Sequence, residues 1–141
     1  MMERDNDTAA IKAACEAVVL AFFHALDTRR HEAVAALMAA DGVWQRQGKA
    51  LRGPQAVLQA LDARPAGRTT CHVITNVRLL EAAADRASLG YFLTAYESVA
   101  QDGAPGAPRL VAIRDCRDAL VRTPDGWRLA DKQSRRHLPP E

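Results

Sequence analysis

The sequence predicts an α+β fold, a curved antiparallel sheet wrapped around N-terminal helices, on two observations. Through the first half, apolar residues recur at Ile11, Cys15, Val18, Phe22 and Leu26, steps of three and four that fall on one face of an α-helix. After Pro65-Ala66-Gly67 the period changes to two, and long stretches rich in β-branched and aromatic residues follow. Helices first and antiparallel strands afterwards fit α+β rather than alternating α/β architecture. With 141 residues, the chain has the length of one domain. Residues 1–141 are read as that domain, with its core over about 8–135.

The first helix is predicted from Thr8 to about Leu26. Asp27-Thr28 offers N-cap residue types before a second periodic stretch, Ala33-Val34-Leu37-Met38, so a second helix follows closely and ends near Asp41-Gly42. Val43 to Gly48 alternates weakly and predicts a short strand. Gly53-Pro54 opens a third helix, with proline in a tolerated first-turn position and Val57, Leu58 and Leu61 inward. Strands are predicted over Cys71–Leu80, Arg86–Val99, Arg109–Arg122 and from Trp127 to about Arg135. Turn signals at Ala84-Asp85, Asp102 to Gly106 and Thr123-Pro124-Asp125-Gly126 join them as an antiparallel meander. The tail from Arg136 to Glu141 should fray. A sheet curved round a helical layer leaves a hollow, the usual place for a ligand.

Composition narrows the function. Net charge is +2 with the basic residues scattered, which provides no footprint for nucleic acid. The apolar runs are short, so no membrane-spanning helix is expected, and the polar start is unlike a signal peptide. These features predict a cytoplasmic protein. Cys15, Cys71 and Cys116 are widely spaced with no CxxC pair, as for reduced thiols acting as small hydrophobes. His24, Asp27 and His31 would share a helix face, but the break at Asp27-Thr28 spoils a metal site there. Without an HExxH pair, a phosphate loop or a nucleophile elbow, neither metal nor cofactor is expected. His31 and His137 read as surface histidines.

Strand parity selects the candidate site residues. His72, Ile74 and Asn76 share one strand face. If it lines the hollow, an imidazole able to work as general acid or base sits beside an amide. Otherwise His72 only satisfies the sheet interior. Asp27 either caps the second helix or reaches His72 to orient its ring. Phe22, Trp44 and Tyr91 offer flat apolar surface for a cyclic or aromatic ligand, the alternative being core or dimer packing. Tyr96 offers the same kind of surface, but five residues from Tyr91 it falls on the opposite face, so only one of the two can line the hollow. Cys116 and Asp118 share a face with Leu120; Asp118 is either a base or the ion-pair partner of Lys132 or Arg135.

Several segments resemble the SnoaL-like proteins of the nuclear transport factor 2-like, or cystatin-like, superfamily. They are Phe22-Phe23-His24-Ala25-Leu26-Asp27 with Ala36 to Trp44, Leu51 to Val57, Cys71-His72-Val73-Ile74-Thr75-Asn76-Val77, and the closing hairpin of Asp118 to Val121 with Asp125 to Leu129. The resemblance covers about residues 8–135 and implies a cone-shaped α+β barrel. In the scytalone dehydratase branch it implies catalytic roles for His72 and Asp27. Leu26 stands where that branch has a tyrosine, and its second histidine has no counterpart in the Arg86–Val99 strand. The implied function is a cofactor-free dehydratase, isomerase or cyclase acting on a small hydrophobic, cyclic or aromatic molecule. The alternative is a non-catalytic binding or assembly subunit resembling the small subunit of aromatic-ring-hydroxylating dioxygenases. A homodimer through the sheet is also expected, since an outward stripe of Val73, Thr75, Val77 and Leu79 would otherwise be wet.

Overall fold

In the computed structural model, which describes residues 2–141, and side chains from Asp7 onward, helix α1 runs from Met2 to Asp27. Its apolar face buries Cys15, Val19, Phe22, Phe23 and Leu26 in the core. By length and composition alone, Asp7–Asp27 is also long and apolar enough to cross a membrane. The expectation that no segment reaches that threshold is therefore corrected: alanines join the core residues into a run interrupted by few charges.

Helix α1 ends in a Schellman motif, with Arg29 left-handed at φ 57° and N–H groups of Arg30 and Arg29 donating to the carbonyls of Ala25 and Leu26. An arginine holds this strained position while its side chain reaches the Pro65 and Arg68 carbonyls, tying the helix end to the start of the sheet. Helix α2 is only His31–Ala36, is preceded by Arg30, and has no side-chain cap. Asp27 does not cap it. The predicted continuation to Gly42 is instead strand β1 (Met38–Arg46), because Met38 and Ala39 are buried where the chain enters the sheet. Gly42 lies at the accompanying register shift, where a Cβ would collide with the Leu129 carbonyl oxygen.

Strand β2 (Lys49–Arg52), which the pattern did not reveal, returns antiparallel to β1 through Gln47 and Gly48, both at positive φ. This is the type I′ hairpin geometry. Helix α3 (Gly53–Asp62) buries Val57 and Leu61. The meander then runs through β3 (Arg68–Ala82), β4 (Arg86–Val99), β5 (Arg109–Thr123) and β6 (Gly126–Leu138). The six-stranded sheet has the order β2-β1-β6-β5-β4-β3, antiparallel except where β1 meets β6. The predicted frayed tail is partly strand, as Arg136 to Leu138 lie in β6. Inward residues of β3–β6, among them Leu89, Tyr91, Leu120 and Leu129, meet α1 and α3 in one apolar cluster.

A bulge reorganises β3. Pairing with β4 shifts between Thr75 and Arg78, and Asn76 takes φ 54°. The extra residue reverses parity. Val73 and Thr75 therefore face solvent, but Val77 and Leu79 turn inward onto the core. The expected four-residue outward stripe does not exist.

Candidate functional site

Asp27, the last residue of α1, lies one turn beyond Phe23, on the helix face that meets the sheet. One carboxylate oxygen of Asp27, Oδ2, accepts the His72 backbone N–H at 2.8 Å. The other, Oδ1, accepts from Thr70 Oγ1 at 2.8 Å and lies 2.6 Å from His72 Nδ1. Burial raises the Asp27 pKa, but the side-chain and backbone hydrogen bonds of His72, its charge and the Thr70 hydroxyl outweigh it and hold the carboxyl below its ordinary value. An ionised carboxylate only accepts, so Nδ1 carries the proton and the other ring nitrogen, Nε2, is the basic one in the neutral ring. Phe23 of α1 packs at 5.2 Å between ring centroids against His72. Ala95 lies opposite His72 across the ladder, with Ala112 next to it, so small side chains leave room beside the imidazole.

His72 lines a cavity of about 220 Å³ between the helices and the sheet. Apolar walls come from Phe23, Leu26, Leu93 and Val111, together with Trp44 and Tyr91. The β1–β2 hairpin carries Trp44, Gln45, Arg46 and Gln47 to the cavity, and β5 and β6 supply Arg114, Cys116, Lys132, Gln133 and Ser134.

A second polar group forms part of the wall. Asp118 and Lys132 are direct cross-strand partners, and Lys132 Nζ lies 2.8 Å from both Asp118 Oδ2 and the Tyr91 hydroxyl. The Tyr91 hydroxyl donates to the same carboxylate oxygen at 2.7 Å. Lys132 Nζ also sits 4.4 Å from the Phe23 ring centre and 4.7 Å from that of Phe22. These two bonds use two of its three N–H groups, and Lys132 is also one of the cavity's lining residues. Burial, then the charge of Asp118 and the neighbouring Cys116, push the Tyr91 hydroxyl well above its ordinary value. Burial likewise drives the Cys116 thiol up to about 12 despite the opposing charge of Lys132. Cys116 is thus a neutral thiol and no nucleophile at neutral pH.

The structure sorts the sequence-predicted residues. His72, Trp44, Tyr91 and Cys116 line the cavity, and Asp27 stands directly behind His72. Like Asp27, three others do not line it. Asn76 is exposed because the bulge has turned it away. Phe22 is fully buried, edge-on to Trp44 with centroids 5.1 Å apart, and supports that ring from the core. Asp118 is fully buried behind Tyr91 and Lys132, the ion-pair alternative. His31 is not a free surface histidine, since its Nδ1 lies 2.9 Å from Asp62, whereas exposed His137 rests on Phe92. Sequence reasoning missed Arg46, Arg64, Arg68 and Arg114 as lining residues and named Lys132 only as an ion-pair partner. Arg114 was within reach, because it shares parity with Cys116 and Asp118. Arg46 was not, because its placement depends on the unrecognised hairpin.

Comparison with known proteins agrees with this architecture. No curated protein shows significant sequence similarity to the chain. Among solved structures, a nuclear transport factor 2-like protein with a cystatin-like fold from Novosphingobium aromaticivorans superposes with a TM-score of 0.77 at 16% identity, over 94% of this chain and 86% of that one. A Catenulispora acidiphila protein in complex with S-DNPA has a TM-score of 0.79 at 20% identity, covering 93% and 96% of the two chains. A type 2 hexachlorocyclohexane dehydrochlorinase has a TM-score of 0.80 at 18% identity, covering 94% and 89%. At these identities the likeness establishes the fold and leaves the chemistry to the site itself. The SnoaL-like domain profile matches residues 7–133, nearly the whole chain, so this protein belongs to the SnoaL-like domain family.

Proposed function

We propose that the protein is an acid–base enzyme that moves a proton on a small cyclic or aromatic molecule, with dehydration of a cyclic β-hydroxy ketone as its model reaction. The observation that carries this reading is the 2.6 Å contact between His72 Nδ1 and Asp27 Oδ1 at the wall of a ligand-sized cavity. His72 Nε2 takes the proton from the carbon next to the carbonyl, and Asp27 stabilises the imidazolium so formed. The imidazolium returns a proton to the departing hydroxyl, which leaves as water. The remaining N–H of Lys132 binds the carbonyl oxygen as negative charge gathers there. Lys132 and His72 both lie against Phe23, which supports their acting on one ligand.

A scaffold role would leave Asp27 on a helix cap and the hollow filled. The carboxylate spent on His72 and the open cavity favour catalysis instead. A second copy of the chain is also part of the proposal. Val73, Tyr96 and Leu110, 41%, 40% and 52% exposed, stand on the outer face of adjacent strands and would be covered in a dimer.

The test uses 3-hydroxy-1-tetralone, whose loss of water yields 1-naphthol. Turnover should fall at least about a hundredfold in His72→Ala, the size of a lost general acid–base group. Equal rates in the two proteins would remove His72 from the chemistry.

A further inference from the structure

The cavity collects charge that the sequence had dispersed. Arg46 from β1, Arg64 from the segment after α3, Arg68 from β3, Arg114 from β5 and Lys132 from β6 all line it, and no Asp or Glu does among the described residues. Two of these cations are answered from behind the wall: Lys132 by Asp118 and Arg68 by Glu97. The other three have no carboxylate within ion-pair distance among the described residues. Arg46 rests over the Trp44 ring at 5.4 Å. Arg114 bonds only neutral partners, the Ser134 hydroxyl and carbonyl. Arg64 bonds the Leu26 carbonyl and the Thr70 hydroxyl, and its buried Nε has no partner. Burial followed by the nearby positive charge of Arg68 pulls both Arg46 and Arg64 below the ordinary guanidinium value. For Arg64 the charges of Arg29 and Arg46 add to this, and Asp27 offsets only part.

Gathering like charges around an apolar cavity is costly unless something of opposite sign enters it. We infer that the ligand of this cavity is a cyclic organic acid, whose carboxylate is held by Arg46, Arg64 and Arg114 while its ring lies between Phe23, Trp44 and Leu93. Guanidinium forks match a planar carboxylate, and the apolar wall suits the ring. Arg64 also joins this anion site to the His72 pair, since it donates to Thr70, which donates to Asp27. The inference rests on the proposed acid–base reading only in placing the reacting end of the ligand at His72.

Calorimetric titration of the whole protein with 2-naphthoate and with its neutral counterpart 2-naphthamide tests it. The carboxylate should bind at least about tenfold more tightly. Arg46→Gln and Arg114→Gln should each erode that preference and leave 2-naphthamide binding unchanged; the Arg46 side chain rests over Trp44 and makes no hydrogen bond among the described residues. Equal affinity for the two ligands, no binding of 2-naphthoate, or variants that weaken both ligands alike would overturn the inference. His72→Ala should keep the carboxylate preference. A preference without His72-dependent turnover of 3-hydroxy-1-tetralone upholds the anion site and removes only the acid–base reading. Turnover without the preference removes the anion site alone.

Discussion

Replacing Asp27 by asparagine bears directly on the tautomer that the proposed chemistry requires. Asp27 accepts three hydrogen bonds through two oxygens, from Thr70 Oγ1, the His72 N–H and His72 Nδ1–H. An amide of the same shape has one acceptor oxygen and one NH2 group. If the oxygen stays on the His72 backbone N–H, the NH2 donates to Nδ1 and drives the proton to Nε2, where a base is needed. If the amide turns over, the oxygen serves Nδ1 and Thr70, but the NH2 then faces the His72 N–H and leaves that donor unsatisfied, at about 1–3 kcal/mol. Either arrangement also weakens bonds that were charge-assisted. The net loss should be about 2 kcal/mol, or roughly 6–10 °C in Tm for a chain of this length. Turnover should fall by about 10²–10⁴.

Two readouts separate these effects. Long-range 1H–15N correlation reads the His72 tautomer without any substrate: Nδ1–H in the native protein and Nε2–H in Asp27→Asn if the ring follows the first arrangement. Thermal unfolding across pH reads the carboxylate. Its folded pKa is held below the ordinary value of 3.8, so its contribution is complete above that value and fades as pH falls through the lower folded one. The stability gap between the two proteins should therefore close below about pH 4. Neutral His72 carrying its proton on Nε2 in the native protein would refute the reasoning outright.

Further outcomes follow from the buried groups and the outer face. Asp118→Asn leaves Lys132, 5% exposed at its side chain, without a countercharge; it should cost about 3–5 kcal/mol in denaturant unfolding, and a loss under about 1 kcal/mol would show the pair is not buried as described. Iodoacetamide should spare buried Cys15 and Cys116, raised to about 11 and about 12, in the native protein at pH 8, and reach both after denaturation, as read by mass spectrometry. Native labelling at Cys116 would contradict its burial. Sedimentation should show a dimer at micromolar concentration, with Val73→Lys or Leu110→Lys shifting it to monomer. A monomer throughout would leave the outer face unpartnered.

What the sequence determined by itself were the features written in local periodicity and strand parity. Helical spacing in α1, the switch to period two after Gly67 and the turn residues between strands are short-range signals, and they marked the helical first half and the four-stranded meander. The resemblance to SnoaL-like proteins rested on the same segments, and His72 was chosen by strand parity, imidazole chemistry and that resemblance together. The tertiary structure decided what local signals do not encode. The parallel pairing of β1 with β6 drew Met38 to Gly42 out of the predicted helix and into the sheet, because burial against a distant strand outweighs helix propensity. A bulge of one residue at Asn76 reversed the faces that parity had assigned beyond it. The packing of α1 against β3 made Asp27 the partner of His72 and not a helix cap. The scattered arginines became one cavity wall only when β1, β3, β5 and the segment after α3 converged. Charge at a site depends on distances between residues far apart in the chain, and those distances exist only in the folded molecule.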